Sequence, residues 1–484
     1  MDTKTTVIVG NALAGMVAAL ELARQGKKVT LVNPGGPLGG YFAGLEIDGV
    51  MFDAGLVKFE LDGYLSQKST LASYNPKLRN DVGRFMNIVH AWALQYEPLH
   101  QFDMPKMWLQ NKAYDDVVLS NSYHTFSKLP FAQQSIQELQ QLPTAEIHAR
   151  EKSNGARYHT LDYLTASLAN HGKAMHDHII APYLMKAQGV TADKMLARYH
   201  RVAWLPLFYP ETLLASFQGK AVPLQPTVFH YPKQGAVGGI CRQVKQQVLS
   251  HPNITYVQQA IQTVEKNDSG WQLQLGEGAV SGPIEGGHLV WTGAPAALLK
   301  ALGKQPTMVQ EIKSPIAVLF LRIKKADIRD VYTILHVLDM DKCAYRITNQ
   351  TACADQQDED MNIVVEFNQN YFKQLYGEND SDAFIVEKLL AELTAMNMIA
   401  ADAQPLIAAI KRIPGGFLVP DQAARDAWEQ DQQTVAALHP EIALLAMSSG
   451  FFATSLNDQV IQGLYYAETR LDAEAETVKE TLPA

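Results

Sequence analysis

Residues 5–15 read Thr-Thr-Val-Ile-Val-Gly-Asn-Ala-Leu-Ala-Gly, an apolar run that enters a turn of small residues. The pattern G-x-A-x-x-G places Gly10, Ala12 and Gly15 at the start of a helix, with Leu13 and Ala14 between them. In a turn that binds a diphosphate, phosphate oxygens approach the amides at a helix N-terminus, so the side chains there must be small. The stretch therefore predicts a dinucleotide-binding turn.

The next residues complete a βαβ unit. Apolar residues at helical spacing follow the turn, Gly26 ends the helix, and residues 27–32 supply a second strand. At the end of that strand an acidic residue usually accepts the ribose hydroxyls, and here the position holds Asn33. The Asn33 carbonyl could accept one such bond, or the residue could only cap the turn before Pro34. The sequence leaves both roles open.

Composition limits the partners of the chain. It has 484 residues, a net charge of −9 and 19% charged residues, with no run of Lys and Arg that would indicate nucleic-acid binding. We therefore expect a small-molecule substrate and no nucleic acid. The three cysteines lack C-x-x-C spacing, so a disulfide framework or zinc site is not expected.

The N-terminal region predicts the location of the protein. The strand begins only a few residues after Met1, which leaves no room for a signal peptide. No uninterrupted apolar stretch reaches the roughly 20 residues of a membrane helix. We expect a cytoplasmic protein without a transmembrane segment, and the sequence leaves a homodimer open.

Several blocks carry a family resemblance. The early G-x-A-x-x-G turn, Gly39-Gly40 and the segment Phe52-Asp53-Ala54-Gly55 resemble the flavin-containing amine oxidase superfamily, which includes protoporphyrinogen oxidases, phytoene desaturases and UDP-galactopyranose mutases. Three later blocks resemble it in the same order: Tyr231-Pro232-Lys233 with Gly238-Gly239, residues 288–295, and residues 455–460. Together they cover both ends and the middle of the chain.

This resemblance implies an FAD cofactor. The residues that it places at the cofactor are Gly10, Ala12, Leu13, Ala14, Gly15, Asn33, Gly39, Gly40, Asp53, Gly55, Ile261, Gly450, Asn457, Asp458, Gln459 and Val460. The strand near Ile261 would offer backbone groups to the adenine. The last helix would direct its N-terminus at the flavin or the diphosphate and stabilise negative charge there.

The resemblance also implies an α/β fold, with a Rossmann-type FAD-binding domain and a discontinuous α+β substrate domain. Each domain should be built from more than one segment of the chain. The predicted FAD-binding parts are 1–65, 225–305 and 416–484, and the predicted substrate-domain parts are 66–224, mostly helical, and 306–415.

Some details resemble the UDP-galactopyranose mutase branch. Tyr183 with Lys186 and Gly189 is similar to its Y-x-x-K-x-x-G segment, and Tyr345-Arg346-Ile347-Thr348 to a strand whose arginine faces the substrate phosphates. Other features of that branch are missing: Val57, Lys58 and Glu60 stand in place of its histidines, and residues 452–454 lack its tyrosines.

Two residues are candidate catalytic groups. Lys58 could lie at the flavin face and stabilise a developing anion, with a solvated strand lysine as the competing interpretation. Arg346 could bind an anionic substrate through its guanidinium fork, or form only a structural salt bridge. His176-Asp177-His178 does not predict a metal site, because residues two apart on a helix point to different faces.

Three functions remain at this stage. The first is an FAD-dependent oxidoreductase that dehydrogenates a small or medium-sized metabolite by hydride transfer to flavin N5. The second is a reduced-flavin nucleotide-sugar mutase or isomerase, and the third is a non-catalytic FAD-binding protein.

Overall fold

The structure is a computed structural model, and it describes residues 5–61, 87–118, 123–142, 160–220, 229–413, 415–452 and 455–481. Within these residues the chain builds two large sheets, each assembled from distant segments. The predicted α/β class, with a Rossmann-type domain and a discontinuous second domain, is confirmed. The domain boundaries stay a prediction.

The first sheet is parallel and is called here the nucleotide sheet. Its strands, in spatial order, are Ile254–Gln258, Val29–Asn33, Thr6–Val9, His288–Trp291 and Ala443–Leu444. Thr6–Val9 is central and buried throughout, because parallel sheets are covered on both faces and favour Val and Ile there. The turn after residue 9 therefore lies at the carboxyl edge of the sheet, where parallel sheets bind ligands.

Three helices pack together beside the nucleotide sheet: Leu13–Arg24, Val237–Ser250 and Leu456–Thr481. Contact between the first and the last is close, since a Cβ on Gly463 would lie 2.7 Å from both Ala14 O and Val17 Cβ. Residues from both ends of the chain thus share one apolar core.

The second sheet, called here the large sheet, has seven strands. In spatial order they are Ile407–Arg412, Ile316–Lys324, Asp360–Asn368, Ala344–Asn349, Ile334–Val337, Lys106–Leu109 and Lys112–Asp115. Helices Gln369–Tyr376 and Asp382–Ala395 share an apolar core with one face. The row of opposed residues His336, Arg346 and Glu366 lies across three neighbouring strands.

Part of the large sheet was not predicted. The segment 66–224 was expected to be mostly helical, yet Lys106–Leu109 and Lys112–Asp115 form a hairpin at the sheet edge. Its two-residue turn has Gln110 at φ 53° and Asn111 at φ 56°. Asn tolerates this left-handed conformation, so Asn111 between two short apolar runs was the available signal.

The remaining elements connect these layers. Short strands are Leu45–Ile47, Val50–Phe52, Phe59–Glu60, Leu99–Gln101, Phe229–Pro232, Ile261–Asn267, Gly270–Leu275, Ile284–Gly286, Lys313–Ser314 and Phe417–Leu418. The other helices are Tyr123–Phe126, Ala132–Gln141, Tyr163–Met175, a π-helical turn His176–Ile180, Ala181–Gln188, Pro210–Phe217, Pro295–Ala301, Gln350–Cys353 and Gln422–Leu438, with 3₁₀ turns at Gly40–Ala43, Ala192–Lys194, Ala197–Ala203, Lys325–Asp327 and Ala446–Ser448. None of the described helices is long and apolar enough to cross a bilayer.

Candidate functional site

The glycine turn is fixed by packing against a neighbouring strand end. Gly10 has φ 122°, and a Cβ at this position would overlap Thr292 Oγ1. Thr292 in turn donates to Val9 O at 3.0 Å. A Cβ on Gly15 would meet Thr292 Cγ2 at 3.2 Å. Both glycines are therefore required by the approach of residue 292, which joins the central strand to its neighbour.

The amides at this helix N-terminus have no side-chain cap from their own segment. The N-cap residue is Ala12, and the first turn carries no acidic residue. Gln459 Oε1, from the last helix, accepts from Ala14 N at 3.3 Å. An oxygen acceptor thus already lies where the sequence predicts a phosphate oxygen.

The Gly39-Gly40 loop lies beside the glycine turn. Gly39 N donates to Asn11 O at 2.7 Å, and Ala12 and Gly39 form an isolated bridge. Gly39 has φ 105°, and a Cβ there would overlap Cys241 Sγ. The two glycine-rich segments therefore lie backbone to backbone, with room for no side chain at Gly10 or Gly39.

Asn33 is completely buried and caps the loop that follows it. Its Nδ2 donates to Gly36 O and Tyr256 Oη, each at 3.1 Å, and its Oδ1 accepts from Gly35 N at 2.9 Å. This is the capping role that the sequence left open. The ribose contact stays a prediction, and it would share the Asn33 side chain with these bonds.

Asp53 caps another helix from a distance. Its carboxylate accepts from Val237 N and Gly238 N, each at 2.8 Å, and from Tyr231 Oη at 2.5 Å. Burial raises the pKa of Asp53 to about 6, against the lowering effect of these three donors. Its carboxylate thus joins the Phe52-Asp53-Ala54-Gly55 block to the Tyr231-Pro232-Lys233 block, as part of the scaffold of the site.

The start of the last helix contacts both the glycine turn and the strand Phe59–Glu60. Asn457 Nδ2 donates to Glu60 O at 2.7 Å, whereas Asp458 N is capped by Ser455 Oγ at 3.1 Å. Val460 is fully buried in the apolar core. Gly450 precedes this helix, and Ile261 begins an antiparallel strand that follows Ile254–Gln258. Their contact with a cofactor stays a prediction.

Lys58 is buried, so the interpretation of a solvated strand lysine is wrong. The residue is 6% exposed, and its Nζ lies 4.4 Å from the Trp204 ring and 4.1 Å from the Phe229 ring. The ammonium pairs with Glu60 Oε1. Burial lowers the pKa of Lys58 to about 8, which outweighs the raising effect of Glu60.

Glu60 links Lys58 to solvent-exposed Arg201. Its second oxygen lies 3.3 Å from Arg201 Nη2, and its side chain is 32% exposed. Burial raises the pKa of Glu60, but Lys58 and Arg201 together lower it by more. The pKa of Glu60 therefore lies below its ordinary value. Glu60 is therefore a carboxylate shared by one buried and one exposed cation.

Arg346 forms the salt bridge that was one of its two predicted roles. Its Nε and Nη2 donate to the two Glu366 oxygens at 2.6 and 2.5 Å. A β-bulge between Ala344 and Arg346 turns Tyr345 toward the same carboxylate, which accepts from Tyr345 Oη at 3.2 Å. Gly55 allows this arrangement, because a Cβ there would lie 2.8 Å from Glu366 Oε1.

Trp204 joins the two candidate catalytic cations. Its ring lies 4.4 Å from Lys58 Nζ and 5.3 Å from Arg346 Cζ. Trp204 has φ 58°, an uncommon conformation for a bulky residue. The structure thus brings Lys58 and Arg346 together, and sequence reasoning missed Trp204. No local pattern marked it, since it lies in an irregular segment after the Arg198-Tyr199-His200-Arg201 cluster.

The histidine motif is engaged within the helical region. His176 Nδ1 lies 3.0 Å from Ser167 Oγ, Asp177 pairs with Lys173, and His178 stacks on Phe131 with centroids 4.7 Å apart. Among the described residues, no group of three His, Cys, Asp or Glu side chains could hold a metal ion.

Known proteins are similar to this chain in two respects, the sequence of its first segment and its fold. A family profile described as an NAD(P)-binding Rossmann-like domain matches residues 8–65. By sequence, no curated protein matches the chain.

Similarity to solved structures extends over almost the whole chain. Reduced UDP-galactopyranose mutase is similar with a TM-score of 0.71 and 15% identity, covering 98% of this chain and 95% of that one. A protein described as a protoporphyrinogen oxidase from an Exiguobacterium species gives 0.64 and 14%, covering 97% and 99%. Cyclohexylamine oxidase from Brevibacterium oxydans gives 0.62 and 12%, covering 98% and 99%.

At these identities the similarity concerns the fold. The resemblance seen in the sequence is confirmed at that level, from the first strand to the last helix. The chain has the fold of these solved structures, and its residues 8–65 match the Rossmann-like profile.

Proposed function

We propose that this chain binds FAD and is an FAD-dependent oxidoreductase that dehydrogenates a small or medium-sized metabolite. The observation that carries the proposal is the pair of adjacent glycine-rich segments at the carboxyl edge of the nucleotide sheet. There Gly39 N bonds to Asn11 O at 2.7 Å beside the N-terminus of helix Leu13–Arg24.

The residues present fit a dinucleotide. The positive end of the helix dipole and its first-turn amides favour a diphosphate. Ala12 and Gly10 leave its approach free of large side chains. The Ala14 amide points to an oxygen acceptor, Gln459 Oε1 at 3.3 Å, and a phosphate oxygen at this amide would share or replace that bond. A bound flavin would supply the acceptor for a hydride from a carbon atom of the substrate.

The chain's own contribution lies in charge and orientation. Lys58 holds a positive charge between two aromatic rings, where low dielectric strengthens its effect on nearby negative charge. Arg346 is paired with the buried Glu366 through two hydrogen bonds. The Glu60 carboxylate that pairs with Lys58 is instead 32% exposed and shared with Arg201. Among these two candidates, Lys58 is therefore the one we assign to stabilising developing negative charge.

The mutase alternative has one specific point in its favour and one against. The Tyr345-Arg346-Ile347-Thr348 segment, which resembles the mutase strand, is a strand of the large sheet, and Glu366, the partner of Arg346, lies against Gly55. Two of the Arg346 nitrogens, however, donate to Glu366, and the residue is 5% exposed. Of its nitrogens only Nη1 has no hydrogen-bond partner among the described residues, so Arg346 cannot offer a two-nitrogen fork to a diphosphate while the Glu366 pair is intact. We place the mutase second for this reason.

A charge introduced at the turn tests cofactor binding. Ala12→Asp and Ala12→Asn both supply an N-cap oxygen, so both should leave the helix as stable as in the wild type or more so. Only Asp adds a negative charge against a diphosphate. We expect FAD affinity of the apoprotein to fall on the order of 100-fold more for Asp than for Asn, because like charges in contact cost several kcal/mol.

Titration of the apoprotein with FAD, followed by flavin absorbance and fluorescence, measures this difference. Equal affinities for the two variants would contradict a diphosphate at this turn. In protein that binds FAD, bleaching of the oxidised flavin absorbance by candidate metabolites without oxygen identifies the oxidoreductase. A mutase would instead require prior reduction by dithionite and show no net redox change. A protein that binds FAD and does neither is the non-catalytic alternative.

A further inference from the structure

An irregular segment, residues 204–208, carries Trp204 into the Lys58 and Arg346 cluster. Side chains hold this segment at three successive points. His200 Nδ1 lies 2.6 Å from Leu205 O, Tyr163 Oη donates to Pro206 O, and Phe208 N donates to His171 Nε2 at 2.9 Å. The position of Trp204 therefore depends on groups in the helical region, away from the nucleotide sheet.

The third of these points continues into a buried chain of three side chains, called here the histidine chain. Ser167 Oγ lies 3.3 Å from His171 Nδ1 and 3.0 Å from His176 Nδ1. Ser167 and His171 are completely buried, and His176 is 6% exposed. One hydroxyl thus connects two imidazoles in an interior site.

A break in the helix makes this chain geometrically feasible. In a continuous α-helix, nine residues advance the chain by about 900° and about 13 Å, so Ser167 and His176 would face opposite sides. Gly172 interrupts the helix with φ 76° and ψ 171°, and a π-helical turn follows at His176–Ile180. Glu138 Oε2 caps the new start by accepting from Ala174 N at 2.7 Å. The break redirects His176 onto Ser167.

The backbone donor at Phe208 determines every proton in the chain. An amide N–H can only donate, so His171 Nε2 carries no proton and the neutral ring holds its proton at Nδ1. That Nδ1–H donates to Ser167 Oγ, and the Ser167 hydroxyl is left to donate to His176 Nδ1. The chain is satisfied in one arrangement, with both imidazoles neutral.

An added proton cannot be accommodated at either ring. At His176 it would turn Nδ1 into a donor, so Ser167 Oγ would face two N–H groups and its hydroxyl would lose its acceptor. At His171 it would occupy Nε2 and oppose Phe208 N–H. Unsatisfied polar groups are costly in a buried site, so either protonation breaks the chain.

We propose that the histidine chain holds residues 204–208 in place in a proton-sensitive way. While both imidazoles are neutral it positions Trp204, and in acid it releases this segment. His171, Ser167 and His176 are positioning residues, since they act through Trp204. The release needs no cofactor, and only its effect on turnover depends on the proposed function.

The charged surroundings favour the neutral state. Burial, and then His200 and His176, lower the pKa of His171 to about 3. Burial also lowers the pKa of His176, which Asp177 raises and Lys173 lowers. The charged and titratable groups on this helical stretch and on the elements packed against it are Glu138, Tyr163, Lys173, Asp177, His178, Tyr183, Lys186, Asp193, Lys194, Arg198, Tyr199, His200, Arg201 and Glu211. The histidine chain should therefore hold residues 204–208 at neutral pH and weaken progressively as the pH falls below the ordinary histidine pKa of about 6.5. It should open only as the pH approaches the lowered pKa values of the two folded imidazoles.

The test replaces the proton-sensitive ring with an amide. In His176→Asn, the side-chain oxygen can accept from Ser167 in place of Nδ1 but cannot be protonated. His178→Asn is the matched control, since His178 stacks on Phe131 outside the chain. His171→Leu removes the acceptor for Phe208 N at every pH.

Two readouts report on the segment without activity. One is the ¹⁹F resonance of 5-fluorotryptophan at position 204, assigned with Trp204→Phe. The other is hydrogen exchange of residues 204–208, corrected for the intrinsic effect of pH. Wild type and His178→Asn should show a shifted Trp204 resonance and faster exchange in acid. His176→Asn should lose the part of this response that arises at His176, and His171→Leu should show the acid-like state already at pH 7.5.

A Trp204 resonance that does not respond to pH, or that responds equally in wild type and His176→Asn, would overturn the proposal. The other tryptophan resonances must stay native while Trp204 responds. If the whole protein unfolds in acid first, the pH dependence of the unfolding free energy is compared instead. Its decline below pH about 6.5 should be smaller in His176→Asn, because the folded pKa of His176 is lowered and the unfolded chain binds the extra proton. Equal declines would count against the proposal in the same way.

Discussion

The glycine turn and the charged cluster around Trp204 are built in opposite ways. At the turn, the constraint is on the backbone: Gly10 has φ 122° and abuts Thr292. In the cluster, the backbone also departs from regular geometry, at the Ala344 to Arg346 bulge and at Trp204, but the specificity lies in buried charges that must find partners, such as Arg346 with Glu366. The glycine turn can be recognised from the spacing of residues in one short segment. The charged cluster depends on which distant segments of the chain come together in the fold.

The largest expected effect comes from breaking the buried ion pair. Glu366→Gln leaves the Arg346 charge without its carboxylate, and we expect a loss of about 3–5 kcal/mol in unfolding free energy. Urea unfolding measures it. Adding Arg346→Met to Glu366→Gln should recover much of the loss, because neither member of this pair is then left as an unpaired buried charge.

The matched control is Glu387→Gln, which breaks an exposed pair with Lys388 whose side chains are 67% and 30% exposed. Its effect should stay within about 0.5 kcal/mol. A similar effect for Glu366→Gln and Glu387→Gln would mean that the cluster is solvated and that the contrast with the turn is false.

The next prediction concerns the glycine turn, where the expected loss of stability is smaller. In Gly10→Ala the added Cβ is strained by the positive φ and also overlaps Thr292. We therefore expect the free energy of unfolding to fall by about 3 kcal/mol. Gly26→Ala meets a positive φ of 83° with no atom within 4 Å of the added Cβ, and should lose only about 1 kcal/mol. Thermal and urea unfolding of the two apoproteins give the difference. Equal losses would show that Thr292 does not shape the turn.

The smallest effect concerns the charge on Lys58. Because burial lowers its folded pKa to about 8, the unfolded chain binds more protons between pH 8 and about 10.4. Stability should therefore rise with pH in this window, relative to Lys58→Met, by up to roughly 1.4 kcal/mol per pH unit. Paired unfolding curves at pH 8, 9 and 10 measure this slope.

Lys173→Met provides the control for Lys58, since the Lys173 side chain is 70% exposed. It should follow the wild-type slope. If Lys58→Met does the same, Lys58 is not desolvated and its assigned role in stabilising negative charge loses its basis.

This contrast also explains what the sequence could predict. The βαβ unit and its glycine turn follow from local periodicity and spacing. The burial of Lys58 does not, because Trp204 and Phe229 reach it from other parts of the chain. Arg346 was found by its pattern, but its choice between substrate and salt bridge depended on the register that sets it opposite Glu366.

The position of Thr6–Val9 at the centre of the nucleotide sheet has a consequence for synthesis. This strand is synthesised long before one of its two neighbours, His288–Trp291, and before Leu456–Thr481, which packs on the helix that follows it. The apolar edge of the early βαβ unit therefore stays uncovered until those later segments have been made. During that interval it is the segment that a nascent-chain chaperone would be expected to shield.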